Sequence, residues 1–359
     1  MDPINLHVID GLYNDALVLL CQLIETPSIS KEEHATAQLL EEFFAAKHIP
    51  TQRLANNVWA TNQHYDPLKP TLLLNSHHDT VRPHKGYTLN PLQPLQKDGK
   101  LYGLGSNDAG GCLVSLIAAF RYFNNRTDLK YNLIIAATAE EEISGANGIE
   151  WLLPHLGSVA VAIVGEPTHM DMAIAEKGLM VLDCTASGVP GHAAHNEGVN
   201  AIYNAIDDIQ WFRNFAFPEV SDLLGPVKMN VTLIQAGTQH NVIPGECHFV
   251  VDVRINEKYT HEQVLTTIRE HTNCKVAPRS TRLRSTGIDT NHPLVAAGIA
   301  MCLKTFGSST LSDKSLMPFP AVKMGPGDTL RSHIADEYIL TEEIKQGIQV
   351  YIHLLNSIL

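Results

Sequence analysis

Long apolar runs, closely spaced cysteines and an excess of basic residues are all missing from this chain of 359 residues. No uninterrupted apolar stretch approaches the ~18 residues of a membrane span. The six cysteines are scattered and include no C-x-x-C pair, which indicates reduced, mostly buried thiols in a cytosolic protein. The 26 basic residues are outnumbered by 38 acidic ones, and a net charge of −12 makes nucleic acid and anionic membranes poor partners.

The overall composition excludes several further classes. Apolar residues make up 44% of the chain and charged residues 18%, with no Pro/Gly-rich tract, so a disordered, collagenous or coiled-coil protein is excluded. At roughly 100–200 residues per domain, the length predicts two or three domains. Residues 1–5 lack the basic region of a signal peptide, and we therefore expect a cytoplasmic protein.

The first part of the chain alternates short apolar runs with helical patterns. Ser30 and Glu33 resemble a capping box at the start of one helix. Strands are predicted at 71–75, 132–136 and 159–164, and a second helix is predicted at 109–123. Strands that alternate with helices predict an α/β fold, with a parallel or mixed sheet covered on both faces.

The pattern changes after about residue 176 and changes back after about residue 282. The middle part combines strands that have one polar face, at 180–186, 229–235 and 248–255, with two helices, one of which opens on a Thr260–Gln263 capping box. The last part is predicted to form a helix at 293–306, a strand at 321–324 and a helix from about 342. We therefore predict a small α+β domain inserted into a larger α/β domain.

Acids and histidines gather in five short segments at predicted loop positions. They are Ser-His-His-Asp at 76–79, the glycine-rich 103–111, Thr-Ala-Glu-Glu-Glu at 138–142, Gly-Glu-Pro-Thr at 165–168 and Ser-His at 332–333. Three of them directly follow predicted strands. Because ligands bind outside the carboxyl ends of the strands in an α/β sheet, we expect these side chains to converge.

The residue types in these segments suit a two-metal hydrolase. Imidazole suits zinc, and carboxylates can bridge two ions that lie about 3.5–4 Å apart. Without metal the crowded acids would repel one another, so raised pKa values are expected for them.

Each segment taken alone has an ordinary explanation. A single His-x-Asp pattern is weak, and three consecutive glutamates at 140–142 are more often a solvated face. Segment 103–111 could cradle a phosphate, but it lacks the Lys-Ser/Thr of a P-loop, and its Asp108 would repel an anion. The prediction of a metal site therefore depends on the combination.

The order and spacing of the five segments resemble the zinc-dependent peptidase and amidohydrolase family that includes acetylornithine deacetylase, succinyl-diaminopimelate desuccinylase, aminoacylase and glutamate carboxypeptidase. The resemblance covers nearly the whole chain. It implies a di-zinc-peptidase-like catalytic domain, with a mixed sheet between helices, at 1–176 and 282–359. It also implies an inserted α+β lid and dimerisation domain at 177–281, and two Zn²⁺ per chain, for which Co²⁺ could substitute.

The resemblance implies a role for each acid and imidazole in the five segments. The metal ligands would be His77 and Glu166 on one ion, Glu142 and His333 on the other, and Asp108 between the two. Asp79 would orient His77, and Glu141 would act as the general base. A cis peptide bond after Asp108 is implied as well.

Three segments of the inserted domain also match the family. They are 188–194, which contains His192, 241–244, which begins with Asn241, and 252–254, which ends with Arg254. His192 would stabilise the oxyanion, whereas Asn241 and Arg254 would contact the substrate. Taken alone, His192 would be an ordinary loop histidine and Arg254 a salt-bridge partner in a strand.

The family resemblance further implies a homodimer through residues 177–281. In such a dimer His192 and Asn241 would act in the partner's site. Closure of the inserted domain within one chain is the alternative.

Two segments, 198–202 and 325–328, the latter followed by His333 and Glu337, resemble the acetylornithine deacetylase branch, and Gly325 and Gly327 are predicted substrate contacts. The expected activity is removal of the acyl group from N-acetylornithine in arginine biosynthesis. N-acetylcitrulline, N-succinylornithine and N-succinyl-diaminopimelate are alternative substrates. A metallo-dipeptidase or aminopeptidase with the same metal site, and a binding protein without catalysis, are the alternative classes.

Glu176 lies at the predicted joint between the two domains. A carboxylate there would repel an anionic substrate tail and favour a cationic one, such as the ornithine ammonium. The alternative is a hinge residue whose side chain points to solvent.

Overall fold

A computed structural model describes residues 6–359 of the chain. Within them the α-helices are α1 (Leu6–Glu25), α2 (His34–Ala46), α3 (Gly111–Phe123), α4 (Ile149–Leu152), α5 (Ala201–Asn214), α6 (His261–His271), α7 (Pro293–Ala300) and α8 (Thr341–Ile358). The first nine strands are β1 (Gln52–Leu54), β2 (Asn57–Thr61), β3 (Thr71–His77), β4 (Leu95–Lys97), β5 (Lys100–Tyr102), β6 (Asn132–Thr138), β7 (Val161–Val164), β8 (Met172–Glu176) and β9 (Gly178–Ser187). The remaining strands are β10 (Gly191–His192), β11 (Lys228–Ala236), β12 (Val242–Ile243), β13 (Glu246–Ile255), β14 (Lys275–Pro278), β15 (Thr286–Gly287), β16 (Thr305–Ser308), β17 (Ala321–Lys323) and β18 (Tyr338–Leu340).

The chain divides into two compact units. The first unit runs from α1 to Ile174 and resumes at Ile288–Phe306 and Ser312–Leu359. The second unit consists of Ala175–Gly287 and Gly307–Leu311.

A mixed sheet forms the centre of the first unit. Its strands follow the order β1-β2-β6-β3-β7-β17-β8. Strands β6, β3, β7 and β17 run parallel, whereas β2 and β8 pair antiparallel at either side of them. A separate three-stranded sheet pairs β18, β5 and β4.

Helices cover both faces of the central sheet, because its buried strands alternate their side chains between two hydrophobic clusters. Leu72 and Leu74 pack in the cluster that α1, α2, α3 and α8 share. Leu73, between them in sequence, packs in the cluster that contains Ile149 and Leu152 of α4. The predicted α/β fold with a mixed sheet between helices is confirmed.

Helix α1 is long and apolar enough, by length and composition, to cross a membrane. The window His7–Glu25 has a mean hydropathy of 1.2, and 39% of it is buried. Its side chains Leu19 and Leu20 lie in the hydrophobic core of the first unit. Asp10 and Asp15 interrupt the apolar run of this helix, so it contains no uninterrupted apolar stretch of membrane-spanning length.

The two predicted capping boxes have different outcomes. At α6 the Thr260 hydroxyl accepts the Gln263 N–H, and the Gln263 side chain accepts the Thr260 N–H, so this prediction is confirmed. At α2 the prediction is wrong, because Glu33 itself occupies the N-cap position and makes no side-chain cap. Ser30 instead donates its hydroxyl hydrogen to Asp79, 49 positions away, at 2.7 Å.

The predicted helix at 293–306 is too long. Helix α7 ends at Ala300, and Cys302 adopts a left-handed conformation with φ 65°. The chain then enters strand β16.

The second unit contains an antiparallel sheet in the order β11-β13-β9-β14. Strand β9 alternates buried and more exposed residues, and Phe212 of α5 and Ile268 of α6 join its buried side chains in one core. Strand β11 forms one edge of this sheet, and Leu233 and Ile234 on it are 63% and 55% exposed. A small two-stranded sheet of β10 and β12 carries His192.

Candidate metal centre

The central sheet of the first unit brings three of the five acid- and histidine-bearing segments to one edge. His77 is the last residue of β3 and pairs with Thr138, the last residue of β6, in parallel register. Residues 140–142 follow β6 directly, and Glu166 follows β7, the other neighbour of β3. The expected convergence at the carboxyl ends of parallel strands is therefore confirmed.

His77 lies at the centre of the cluster. Its Nε2 is 3.2 Å from Asp108 Oδ1, 3.8 Å from Glu166 Oε1 and 3.9 Å from Glu141 Oε2. Its Nδ1 lies 3.0 Å from the carbonyl oxygen of Asp79, which accepts the Nδ1 hydrogen. In metal sites, a hydrogen bond of this kind on one ring nitrogen fixes the orientation of the imidazole and leaves the other nitrogen, here Nε2, to bind the metal ion.

His333 and Glu142 form the other part of the cluster. His333 Nε2 lies 2.9 Å from Glu142 Oε2 and 3.5 Å from Asp108 Oδ2. Asp108 therefore has one carboxylate oxygen near His77 and the other near His333. The peptide bond between Asp108 and Ala109 is cis, which confirms the expectation for this position.

These donor atoms fit divalent metal ions. The nitrogen of His77 and carboxylate oxygens of Asp108 and Glu142 lie within 4.8 Å of one another, and so do those of His77, Glu141 and Glu166. A set of imidazole nitrogens and carboxylate oxygens suits zinc and related first-row metals. A cation at this position would also neutralise acids that are forced together.

The pKa values of the glutamates reflect this crowding. Burial raises the pKa of Glu166 to about 8, and the charge of Asp108 adds to the rise. Burial likewise raises the pKa of Glu141 well above its usual range, with a further contribution from Glu166. The pKa of Glu142 is also raised by burial and by Asp108, although the hydrogen bond to His333 opposes the rise.

Asp108 departs from the expectation of raised pKa values. Burial by itself raises its pKa, but hydrogen bonds with His77 and Ser332 outweigh burial and hold the pKa below its usual range. The pKa of His77 is raised well above its usual value because its bonds to Asp108 and Asp79 outweigh burial. A hydrogen bond to Glu142 raises the pKa of His333 to about 9.

The Asp79 carboxylate lies on the Nδ1 side of the His77 ring, with Oδ1 3.4 Å from Nδ1, and supports the donor cluster from there. Its carboxylate accepts hydrogen bonds from the Ser30 hydroxyl and from the backbone N–H groups of Glu141 and Glu142, at 2.7, 3.0 and 3.2 Å. These bonds tie the end of β3 to the loop after β6. Asp79 therefore positions both His77 and the loop that holds the two glutamates.

Two neighbours of the cluster in sequence face elsewhere. Glu140 is buried and its carboxylate accepts hydrogen bonds from the side chain and backbone of Asn147, so residues 140–142 are not a solvated face. His78 lies between the Thr36 hydroxyl and the carbonyl oxygen of Asn56, and burial lowers its pKa to about 4.

Two buried acids near the cluster were not assigned a role from the sequence. Asp313 accepts hydrogen bonds from Asn75 at 2.9 Å and from Thr138 at 2.8 Å, and burial raises its pKa to about 6. Glu337 accepts backbone hydrogen bonds from the loop that carries Asp108. No local motif marks Asp313, whereas Glu337 follows His333 by only four positions.

Gly325 and Gly327 lie in a loop that packs against the segment after Glu166. A Cβ on Gly325 would lie 2.7 Å from the Glu166 carbonyl oxygen, and a Cβ on Gly327, whose φ is +94°, would lie 2.5 Å from Asn107 Oδ1. Both glycines are required by close backbone packing. Their predicted contact with substrate stays a prediction.

The second unit places His192 and Asn241 beside each other. The Ala193 N–H donates to the Asn241 carbonyl oxygen at 3.0 Å, and both His192 and Asn241 are exposed. Arg254 forms an ion pair with Asp252 through two hydrogen bonds, at 2.8 and 3.1 Å. This contact agrees with the alternative interpretation of Arg254, a salt-bridge partner in a strand. Glu176 is fully buried, so the alternative of a hinge residue that points to solvent is wrong.

Comparison with known proteins gives one family and several similar chains. Residues 73–357 match the sequence profile described as Peptidase family M20/M25/M40. The chain is 28% identical over 278 residues to succinyl-diaminopimelate desuccinylase 2 of Ruegeria sp. (strain TM1040), a match that covers 72% of this chain and 69% of that protein. It is 29% identical over 297 residues to acetylornithine deacetylase of Myxococcus xanthus, which covers 77% of each.

Solved structures show the same fold. Aminopeptidase PepT from Bacillus cereus ATCC 10987 is similar with a TM-score of 0.77 and 17% identity, covering 96% of this chain and 98% of that one. The YXEP protein of Bacillus subtilis, described as a dinuclear metal binding peptidase from the M20 family, is similar with a TM-score of 0.70 and 17% identity, covering 97% and 98%.

The three consecutive glutamates allow a controlled test of metal binding. We predict that metal-free protein takes up two equivalents of Zn²⁺, and that Glu142→Gln takes up only one because a ligand is lost. Glu140→Gln is the matched control, since Glu140 bonds to Asn147 instead, and it should retain both equivalents. Isothermal titration calorimetry and metal analysis of dialysed protein measure the stoichiometry. Equal loss of zinc in both variants would contradict the assignment.

Proposed function

Because this chain belongs to peptidase family M20/M25/M40, we propose that it is a zinc-dependent amidohydrolase that removes the acyl group from an N-acyl amino acid, with N-acetylornithine as its substrate. The observation that carries this proposal is the convergence of His77, Asp108, Glu142 and Glu166 beside Glu141. The two curated relatives named above are a desuccinylase and a deacetylase, both of which act on N-acyl amino acids by name.

The proposed ligand sets follow the two ends of the Asp108 carboxylate. His77 and Glu166 would hold one ion, Glu142 and His333 the other, and Asp108 would bridge them. The distances of 3.2 Å from Asp108 to His77 and 3.5 Å to His333 support this division. Zinc is proposed because the donors are imidazoles and carboxylates, and Co²⁺ would suit the same donors.

When bound, the two ions would supply Lewis-acid polarisation of the amide carbonyl and lower the pKa of water at the site. Glu141 is the proposed general base. Its carboxylate is largely buried, lies 3.9 Å from His77 Nε2 and is held at the end of β6 by the bond from its N–H to Asp79. There it takes a proton from the attacking water and returns one to the leaving amine.

Residues of the second unit are proposed to complete the site. His192 would donate a hydrogen bond to the developing oxyanion, which is a large contribution to amide hydrolysis. Asn241 and Arg254 would contact the amino-acid part of the substrate. The exposure of His192 on its small sheet supports a role toward a ligand instead of a role in the core.

Substrate selection is proposed to depend on the charge of the substrate tail. The charge of the buried Glu176 carboxylate would act without direct contact and would favour the cationic ornithine chain over the anionic tail of N-succinyl-diaminopimelate. N-acetylcitrulline and N-succinylornithine are the closest alternatives. We further propose that the protein is cytoplasmic and acts on small molecules, in keeping with the metabolic relatives.

A substrate panel tests the proposed function. We expect zinc-loaded protein to hydrolyse N-acetylornithine with a kcat/KM at least tenfold above that for N-acetylcitrulline, N-succinylornithine or N-succinyl-diaminopimelate. Release of the free amine gives the rate. Turnover of a dipeptide or tripeptide without turnover of any N-acyl amino acid would select the peptidase alternative. A protein that binds zinc but hydrolyses none of these would be a binding protein.

The role of Glu141 predicts a separation of metal binding from turnover. Glu141→Gln keeps the shape of the side chain and removes the base, so both zinc equivalents should remain while kcat falls by about 10²–10⁴-fold. Zinc stoichiometry and initial rates are measured on the same preparation. If Glu141→Gln instead loses zinc and Glu142→Gln does not, the assignment of these neighbouring acids is shifted by one residue.

We also propose a homodimer through residues 177–281, in which His192 and Asn241 act on the partner's site. Strand β11 supports this proposal, because it is a sheet edge with exposed apolar residues, and such edges pair readily with another strand. Tyr203 of α5, a helix that packs beside β11, is also exposed.

The dimer is tested with a charge on this edge. We predict that Leu233→Lys sediments as a monomer and loses most of its activity, whereas the wild type sediments as a dimer. Leu68→Lys is the matched control, since Leu68 is 92% exposed on the first unit, and it should remain dimeric and active. Sedimentation velocity gives the mass. A fully active wild-type monomer would contradict the proposal.

A further inference from the structure

A buried carboxylate joins the loop that carries Asp108 to the segment that carries His333. Glu337 is 2% exposed, and its side chain accepts three backbone hydrogen bonds. Oε2 accepts the N–H of Gly105 at 2.9 Å, and Oε1 accepts those of Asn107 and Asp108 at 2.8 and 2.9 Å. The Glu337 carbonyl oxygen also accepts the N–H of Gly103 at 3.0 Å.

These bonds satisfy donors that the loop cannot satisfy through helical pairing. The backbone at Asp108 has φ −118° and ψ 96°, which interrupts the helical turn before α3. A buried N–H without an acceptor is destabilising, because it loses its hydrogen bond to water and gains none in return. The Glu337 side chain thus supplies acceptors for three backbone N–H groups of this loop, in addition to the bonds between Asn107 and the backbone of Asp328.

The segment around Glu337 is itself anchored on both sides. The carboxylate of the preceding residue, Asp336, accepts the backbone N–H groups of Thr88 and Leu89, both at 2.9 Å. The following residue, Tyr338, begins β18, which pairs with β5. Glu337 therefore projects from a fixed backbone toward the Asp108 loop.

We propose that Glu337 is a positioning residue that sets the Asp108 carboxylate between the two ion sites and fixes its distance from His333. This inference rests on the proposed metal centre. Glu337 makes its contacts with the main chain of the Asp108 loop, and its effect on the metals is transmitted through Asp108. Asp108 is a proposed ligand of both ions. The ion held by Glu142 and His333 depends on Glu337 in two ways, because Glu337 binds the loop of Asp108 and belongs to the same segment as His333.

The Glu337→Gln variant tests this role with little change of shape. Glutamine has one acceptor oxygen in place of two. If that oxygen keeps the hydrogen bonds from Asn107 and Asp108, the side-chain NH₂ group faces the N–H of Gly105, and two donors then oppose each other. Residues that orient metal ligands typically change metal affinity by about 10–100-fold when mutated. We expect one of the two Co²⁺ equivalents to bind about 10–100-fold more weakly in Glu337→Gln.

The visible absorption of bound Co²⁺ gives a readout of ligand geometry that is independent of turnover. We expect the spectrum of the fully loaded Glu337→Gln variant to differ in intensity and band position from the wild type. Its kcat should fall while KM stays near the wild-type value, because the binding of substrate is not altered directly. Glu337→Ala, which removes all three acceptors, should show larger changes, and the Gln variant alone decides the matter if the Ala variant does not fold.

Asp208→Asn is the matched control. Asp208 is another buried carboxylate that accepts two backbone N–H groups, those of Asn273 and Cys274, at 2.9 Å each, but it lies in the second unit. It should lower the thermal unfolding temperature without altering the cobalt spectrum or either affinity. If Glu337→Gln has wild-type cobalt affinities and spectrum, Glu337 is only a stabilising residue and the inference is wrong.

Failure of the proposed function gives a different pattern of results. A wild-type protein that binds two Co²⁺ ions but hydrolyses no N-acyl amino acid removes the proposed substrate. The cobalt affinities and spectra of Glu337→Gln would still decide the positioning role in that case.

Discussion

The repulsion between buried carboxylates at the edge of one sheet is the constraint on which the rest of the centre depends. Asp108, Glu141, Glu142 and Glu166 lie within a few ångströms of the single imidazole of His77. Ionised groups are costly to bury without a partner, and burial together with the neighbouring carboxylates raises the pKa values of Glu141 and Glu166. Divalent cations remove the same repulsion, so the cluster is shaped for metal.

Holding these acids together requires support from outside the cluster. Asp79 ties the end of β3 to the loop after β6, and Glu337 ties the Asp108 loop to the C-terminal segment. The carboxylates of both residues accept hydrogen bonds from backbone N–H groups. The ligands can therefore be crowded on loops because the loops are fixed by a second set of carboxylates.

Sequence reasoning predicted the parts of the site that depend on local order. His77, residues 140–142 and Glu166 could be placed because each follows a strand whose apolar run is visible, and parallel strands end at one edge. Ser30 was misassigned as a helix cap, since its partner Asp79 lies 49 positions away. The roles of Asp313 and Glu337 could not be predicted for the same reason, as their partners Thr138 and Asp108 are 175 and 229 positions away, although Glu337 belongs to a segment that resembles the family. The five segments identify the metal ligands and therefore the family, whereas no motif identifies the acyl group, so the substrate stays a proposal.

Diffraction at the zinc absorption edge from crystals grown with excess zinc tests the central claim most directly. The account predicts two anomalous peaks about 3.5–4 Å apart, with the Asp108 carboxylate between them. Ligand distances of about 2.0–2.2 Å to His77 and Glu166 on one side, and to Glu142 and His333 on the other, are expected. A single peak, or peaks that lie away from Asp108 while the four acids keep their present separation, would contradict it.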